Sequence, residues 1–322
     1  GNKKRSEQLV RTLHELQESE SVQETLVLLP LTYSFAFVNQ WLWAKVFNRK
    51  LTLTEGLSNP KMLAQALEDS NQSMICMVGA QIPIFRQYFR NHQFEQVIRL
   101  HFAGGPFPQN DLEFIRQTFP HAQIFNNYGC AEAMPRLTIR KAQDSSEAHQ
   151  VGQALPGVQL RISEGGNVEF QSIYRAEGQI ANGMFEAFTD DQWLASGDKG
   201  ELDLDGNLRL HGRANQVFKR YGEKISLPQL LRTVKEVWEG QALFYKEADP
   251  QGEQGHVLLL SPEPDQALIT SILRRFRASY PRTHWPLRIE STPSIPLLNN
   301  GKEDLQAAAK LENTTTHWAQ RI

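Results

Sequence analysis

Through residues 1–128, short apolar runs of strand length alternate with helix-periodic segments, and this alternation constrains the fold more than any other feature of the chain. Ser6–Ser19 carries Leu9, Leu13 and Leu16 at helical spacing, and Lys61–Ser70 reads as a second helix, opened by the turn Ser58-Asn59-Pro60. Runs at Ser73–Val78, Gln96–Phe102 and Ala122–Phe125 read as buried strands, bounded by helices such as Asp111–Phe119. Strands alternating with helices argue for a parallel, doubly wound α/β sheet over residues 1–150. From about Gly152 the texture changes. Val158–Ile162, Asn167–Gln171 and Asn207–His211 alternate apolar and polar residues between turns such as Glu164-Gly165-Gly166 and Asp205-Gly206. That pattern suits antiparallel strands, a small β-rich, barrel-like subdomain over 151–214. Helices at Leu227–Trp238 and Asp265–Tyr280 then place an α+β domain over 215–322.

One stretch competes with this reading. Thr25–Ala44 holds no charged residue over 20 positions, long enough to cross a bilayer. Pro30, Thr32, Ser34, Asn39 and Gln40 interrupt it, so a strand at Thr25–Leu29 followed by an amphipathic helix from about Phe35 to Phe47 is the better parse. The first residues, Gly1-Asn2-Lys3-Lys4-Arg5, carry charge with no apolar region behind them, unlike a signal peptide. Lys plus Arg 34 against Asp plus Glu 36 gives 34 − 36 = −2, with no basic excess to hold a nucleic acid backbone. Cys76 and Cys130 are the only cysteines, which excludes a disulfide scaffold and a Cys-rich zinc site. The expectation is a cytoplasmic protein with no membrane span and no nucleic acid partner.

The common catalytic signatures GxxxxGK[ST], GxGxxG, GxSxG and HExxH are absent. What stands out instead is four glycine-punctuated polar stretches, each placed where a strand should end. Ala103-Gly104-Gly105-Pro106 offers a backbone that a ligand ring can approach closely, or simply a tight turn. Asn126-Asn127-Tyr128-Gly129-Cys130-Ala131-Glu132 joins an aromatic face to a carboxylate suited to Mg²⁺; alone it is also an ordinary surface loop. Ala195-Ser196-Gly197-Asp198-Lys199-Gly200, with Gly212-Arg213 beyond it, offers an acceptor for ribose hydroxyls and a planar cationic fork, or two hairpin turns with solvated charges. Pro296-Leu297-Leu298-Asn299-Asn300-Gly301-Lys302 presents a lysine on a glycine turn, which is uninformative by itself.

Taken in order, these stretches resemble the motifs of the adenylate-forming superfamily: acyl-CoA and aryl-CoA synthetases, luciferases and nonribosomal-peptide adenylation domains. Asn127-Tyr128-Gly129-x-x-Glu132 is similar to the family's aromatic-Gly-x-Thr-Glu motif, and Ser196-Gly197-Asp198 with Gly212-Arg213 to its Gly-Asp and Gly-Arg pair. Tyr221-Gly222-Glu223-Lys224-Ile225-Ser226 looks like the glycine loop that follows, Asn300-Gly301-Lys302 like the terminal Gly-Lys, and Val151–Val158 like a further characteristic segment. The resemblance implies a partial large domain followed by a small, mobile C-terminal domain. It also implies acid activation by ATP through an acyl-adenylate, then transfer to a pantetheine thiol of coenzyme A or of an acyl carrier protein. Under it, Tyr128 and Gly129 face adenine, Gly104 and Gly105 admit the ring, Glu132 binds Mg²⁺, Asp198 the ribose, and Arg213 the ribose and phosphate side. Lys302 serves adenylation; rotation about a hinge at Asn215 then brings in Lys219 and Gly222 for the thiol step. Tyr33 and Ser34 fall at the acyl pocket.

Three departures stand out. Ala131 replaces the motif's threonine, and Asn215 replaces an aspartate or lysine. The phosphate loop that the family carries upstream has no counterpart here beyond Gly1-Asn2-Lys3-Lys4, so the chain reads as an N-terminally truncated ligase, inactive as it stands. Ser34 stands where amino-acid-activating members place an aspartate, which disfavours an α-amino acid; whether the acid is aryl or fatty acyl stays open. The alternative is a non-catalytic nucleotide- or partner-binding relative of the same fold.

Overall fold

The computed structural model describes residues 2–105, 107–147, 149–181, 183–297 and 303–320. The chain forms two compact units, Gly1–Leu210 and His211–Ile322.

The first unit is built on a six-stranded sheet. Strands β1 (Glu24–Val27), β2 (Lys50–Leu53), β3 (Ser73–Met77), β4 (Val97–Phe102), β5 (Gln123–Tyr128) and β6 (Thr138–Lys141) lie in the order β2-β1-β3-β4-β5-β6. All neighbours are parallel except β5 and β6. Strand alternation sends Ile75, Met77, Leu100, Phe102 and Ile124 to one face, where they pack with Leu63, Leu67, Phe85, Phe89 and Ile115 of the helices Pro60–Glu68, Ile82–Phe89 and Leu112–Thr118. The other face is covered by helix Asn2–Leu16, through Leu9, Val10 and Leu13, and by the helix that follows β1. Val10 takes the place expected for Leu16, which points outward.

That second helix departs from the amphipathic α-helix expected over Phe35–Phe47. It runs as Ser34–Ala36, Phe37–Leu42 and Trp43–Val46, with the middle segment wound as a π-helix. Gln40 lies in the widened turn, wholly buried, and its Nε2 donates to Thr25 Oγ1 at 2.8 Å and to the Leu26 carbonyl at 2.7 Å. Such bulges gather at functional sites, and this one lies over β1. Of the aromatics on this helix, Phe35 and Trp43 are core, whereas Phe37 is exposed and stacks on Trp41.

The strands that follow are β7 (Gln150–Gly152), β8 (Val158–Ile162), β9 (Asn167–Ser172), an outlying hairpin of β10 (Gly178–Ala181) and β11 (Met184–Ala187), then β12 (Leu194–Leu202) and β13 (Leu208–Arg213), whose last three residues already belong to the second unit. A five-stranded sheet runs β7-β13-β12-β9-β8, its core filled by Val158, Val168, Phe170, Leu194 and Leu208.

In the second unit a tight hairpin pairs β14 (Val217–Arg220) with β15 (Glu223–Ser226). A four-stranded sheet orders β16 (Gln241–Ala248), β17 (Gln254–Ser261), β18 (Arg288–Ser291) and β19 (Thr315–Ala319). β17 and β18 are parallel and are joined through helix Gln266–Ser279, which packs on Phe244, Leu258, Leu260 and Ile289 beside helix Leu227–Lys235. Asp265 caps the longer helix, accepting from the Leu268 amide at 2.7 Å.

Each unit buries a neutral histidine in its core. His101 on β4 has neither ring nitrogen hydrogen-bonded, and burial pushes both it and His256 on β17 down to about 3. The unfolded chain protonates them near 6.5, so their contribution to stability is complete above that pH and falls as pH drops toward 3. His101→Phe, with the ring still able to stack on Phe125, should flatten the acid limb of a pH series of urea unfolding by up to about 1.4 kcal/mol per pH unit. An unchanged slope would show that His101 is already protonated in the folded protein.

Candidate functional site

The order β2-β1-β3-β4-β5 reverses direction between β1 and β3, and open parallel sheets bind ligands at the carboxyl ends of the strands flanking such a reversal. Gly104 follows β4 in the left-handed region at φ 76°, and a Cβ built on Gly105 meets nothing within 4 Å. The backbone there is open to a flat ligand.

Beside it the expected loop 126–132 is only half a loop. Asn126, Asn127 and Tyr128 continue β5 and are buried, because they pair with Arg140, Ile139 and Thr138 of the antiparallel β6, which lengthens the strand past Phe125. Asn127 Nδ2 donates to the Phe102 carbonyl at 3.0 Å and ties the ends of β4 and β5 together. The chain turns at Gly129, where an added Cβ would lie 2.0 Å from the Pro135 carbonyl oxygen; only glycine permits this approach. The 3₁₀ turn Ala131–Ala133 then exposes Glu132, whose carboxylate is hydrogen-bonded to the Cys130 thiol; burial first, and Glu132 second, push that thiol up to about 12.

Asp198 does not follow a strand, as expected, but lies within β12. The strand continues because its pairing with β9 shifts register between Ala195 and Lys199, a bulge that absorbs Gly197 at φ 80°. The bulge brings two sequence-distant motifs together. Tyr128 Oη donates to Asp198 Oδ2 at 2.8 Å and lies 3.0 Å from Ser196 Oγ, which in turn accepts from the Asp198 amide at 3.2 Å. Burial, then the Asp198 charge, raises the Tyr128 hydroxyl far above its ordinary value, so it stays a donor throughout the physiological range.

Tyr33, half exposed, precedes the composite helix at the end of β1, and Ser34 opens that helix. In the second unit Arg213 and Asn215 are exposed at the turn Ala214–Gln216, and Lys219 is exposed on β14. Gly222 and Tyr221 both have positive φ, 82° and 49°, as a two-residue hairpin turn of this hand requires. Lys302, with Asn300 and Gly301, lies outside the described residues. Among the described residues no three His, Cys, Asp or Glu side chains gather to hold a metal ion, and no helix is long and apolar enough to cross a membrane. Sequence reasoning missed Arg136, which is wholly buried next to this site; a lone charge in Met134-Pro135-Arg136-Leu137 was the available signal.

A family model described as "AMP-binding enzyme" matches residues 6–180. The chain belongs to that family. Among curated proteins, the AMP-binding enzymes it resembles include D-alanine–D-alanyl carrier protein ligases of Lactococcus lactis subsp. lactis, 25% identical over 248 residues, and of Staphylococcus epidermidis, 26% identical over 235. These alignments cover 70% and 69% of this chain and 48% of each relative, so the chain spans about half their length. Among solved structures, o-succinylbenzoate CoA synthetase from Bacillus subtilis with its acyl-adenylate superposes at TM-score 0.78, 17% identical, covering 96% of this chain and 65% of that one. ATP-bound MatB from Rhodopseudomonas palustris gives 0.75 at 14% identity, covering 94% and 63%. Those likenesses establish the fold: a mixed α/β domain with a parallel sheet and a small second domain.

Removing the hydroxyl that joins the two sheets isolates its contribution. Tyr128→Phe should cost about 1 kcal/mol in urea unfolding, the scale of one hydrogen bond to a half-buried group. No change would mean that Asp198 is fully satisfied by other partners.

Proposed function

We propose that the protein is an AMP-forming acid–thiol ligase, which activates a small carboxylic acid with ATP and passes the acyl group to the pantetheine thiol of coenzyme A or of a carrier protein. The observation that carries this reading is the Tyr128–Asp198 hydrogen bond beside the open backbone at Gly104–Gly105, within a chain of the AMP-binding family.

The residues present fit a nucleotide. Gly105 leaves room for an adenine ring, which would pack against the Tyr128–Gly129 edge, and Asp198, oriented by Tyr128, would accept from the ribose hydroxyls. Arg213 would serve the ribose and phosphate side. Exposed Glu132 is a single hard carboxylate, the donor that Mg²⁺ takes when phosphates and water complete its shell. The ion would supply positive charge to the phosphate oxygens as adenylation proceeds. Lys302 would hold the acid's carboxylate against the α-phosphate, while Lys219 and Gly222 would serve the thiol step, with Asn215 as the hinge between the two arrangements. Tyr33 and Ser34 would line the acyl pocket. The curated relatives named above act on D-alanine; Ser34 offers no carboxylate for an ammonium group, so the acid favoured here is not an amino acid. A cytoplasmic setting follows from the supply of ATP and pantetheine thiols.

Two measurements on the intact protein test the reading. Asp198→Ala should weaken ATP binding by about 2–3 kcal/mol in calorimetry; unchanged affinity in a folded variant would remove the ribose role from Asp198. Lys302→Ala should abolish acyl-AMP formation, losing several kcal/mol of transition-state stabilisation, about the scale of one preorganised donor, yet leave thioester formation from supplied acyl-adenylate nearly intact. Equal loss in both half-reactions would assign Lys302 a structural part. Absence of pyrophosphate release with any acid would favour a non-catalytic relative.

A further inference from the structure

Arg136 is the most unusual charge in the molecule. Its side chain is fully buried, yet Nε, Nη1 and Nη2 all lack a hydrogen-bond partner. A guanidinium removed from water without an anion or acceptor is strongly destabilising. Its nearest compensation is the face of the Phe35 ring, whose centroid lies 5.1 Å from the guanidinium carbon, and an aromatic face offsets only part of that cost.

Among the described residues no carboxylate pairs with Arg136. Cys76, His101 and Phe125 stand in register across β3, β4 and β5, and the electrostatics of Cys76 and His101 couple both to Arg136. Burial keeps His101 neutral, with two unpartnered ring nitrogens, and pushes the Cys76 thiol up to about 12, so it too is uncharged. Arg99, which lies on the same strand face as His101, spends its own donors on the carbonyls of Gln17, Ile98 and Glu18. The result is a buried, anion-free cluster of basic side chains with five unpartnered nitrogen atoms on Arg136 and His101.

Its position gives the cluster a meaning. Phe35, which covers Arg136, packs with Leu29, Ala36 and Cys76, and with Leu31, Val78 and Ala103. These residues come from the ends of β1, β3 and β4 and from the start of the composite helix, so the apolar cluster occupies the reversal point of the sheet, and its Phe35 and Ala36 follow Tyr33 and Ser34 directly in the chain. The acid's reacting carboxylate has to meet the nucleotide at the solvent-facing Gly105 and Asp198. Arg136 is sealed from solvent against the face of the Phe35 ring.

We propose that Arg136 receives a second anionic group of the acid substrate, and that the ligase is selective for dicarboxylic or similarly dianionic acids. This inference rests on the reading of the protein as an acid-activating enzyme. Movement of the Phe35 ring admits the distal carboxylate, which pairs with the planar guanidinium fork and with His101; the aliphatic or aryl body of the acid fills the apolar cluster. The same cation repels an ammonium group, which agrees with the absence of a carboxylate at Ser34.

The test is ATP–pyrophosphate exchange by the intact protein with dicarboxylates from succinate to suberate and with phthalate, each against the monocarboxylate of matching size. The wild type should favour at least one dicarboxylate by about 100-fold or more in kcat/KM, the scale of leaving buried donors unpaired with the wrong substrate. Arg136→Met should lose that preference through KM while keeping the monocarboxylate rate, and Arg136→Lys should restore part of it. Exchange with monocarboxylates but no dicarboxylate preference, or an equal loss on both classes in Arg136→Met, overturns the inference and leaves the ligase reading standing. No exchange with any acid overturns the ligase reading. Calorimetric titration of the same dicarboxylates into wild-type protein then decides Arg136 alone: binding supports the anion site, and no binding overturns it. Those wild-type measurements hold even if Arg136→Met does not fold.

Discussion

Parallel strands impose one constraint on everything else in the first unit. Between parallel strands the chain has to cross back to the end at which the previous strand began, so the loops leaving β1, β3, β4 and β5 all gather at one end. The reversal between β1 and β3 opens that end into a crevice, because successive crossovers run away from each other there. Tyr33 and Ser34, Val78, Gly104 and Gly105, and Tyr128 and Gly129 share that end because of connectivity, although they are spread over about a hundred residues of sequence.

Connectivity alone leaves the second sheet unanchored to this crevice. The junction is made by the bulge in β12, which lets Asp198 and Ser196 converge on the Tyr128 hydroxyl. A half-buried carboxylate is fixed in one orientation only with a donor in place, and Tyr128 is held as a permanent donor by its own burial. Orientation of the carboxylate and stability of the junction are therefore one interaction. The π-helical turn on the other side of the crevice has a comparable logic: widening the helix by a residue lets Gln40 reach Thr25 and the Leu26 carbonyl, which fixes the helix on β1 while Phe35 is held over Arg136.

The unpartnered guanidinium of Arg136 is the point at which the fold gives up stability. Cores are assembled from groups that satisfy one another, and sites are where that rule is relaxed. Arg136 and His101 keep five nitrogen atoms unpaired in a unit that satisfies its other nearby arginine, Arg99, with three carbonyls. The contrast between two buried arginines on one side of one sheet separates a structural cation from one reserved for a ligand.

Much of this was legible from residue patterns. Alternating strands and helices before Tyr128 specify a parallel sheet because hydrophobic period and length are local properties, and β3 and β4 fall within a residue or two of the expected runs. The order of the glycine-bearing motifs identifies the family because close backbone approach admits only glycine, as at Gly129. Other features are set by partners distant in sequence. Asn126–Tyr128 is strand because β6 pairs with it, Asp198 lies within a strand because a bulge absorbs Gly197, and the helix over Phe37–Leu42 is π because Gln40 finds Thr25. Arg136 reads in sequence as an unremarkable basic residue. Only the packing of Phe35 and of β3, β4 and β5 around it removes both water and every acceptor, and burial of that kind depends on where the rest of the chain is placed.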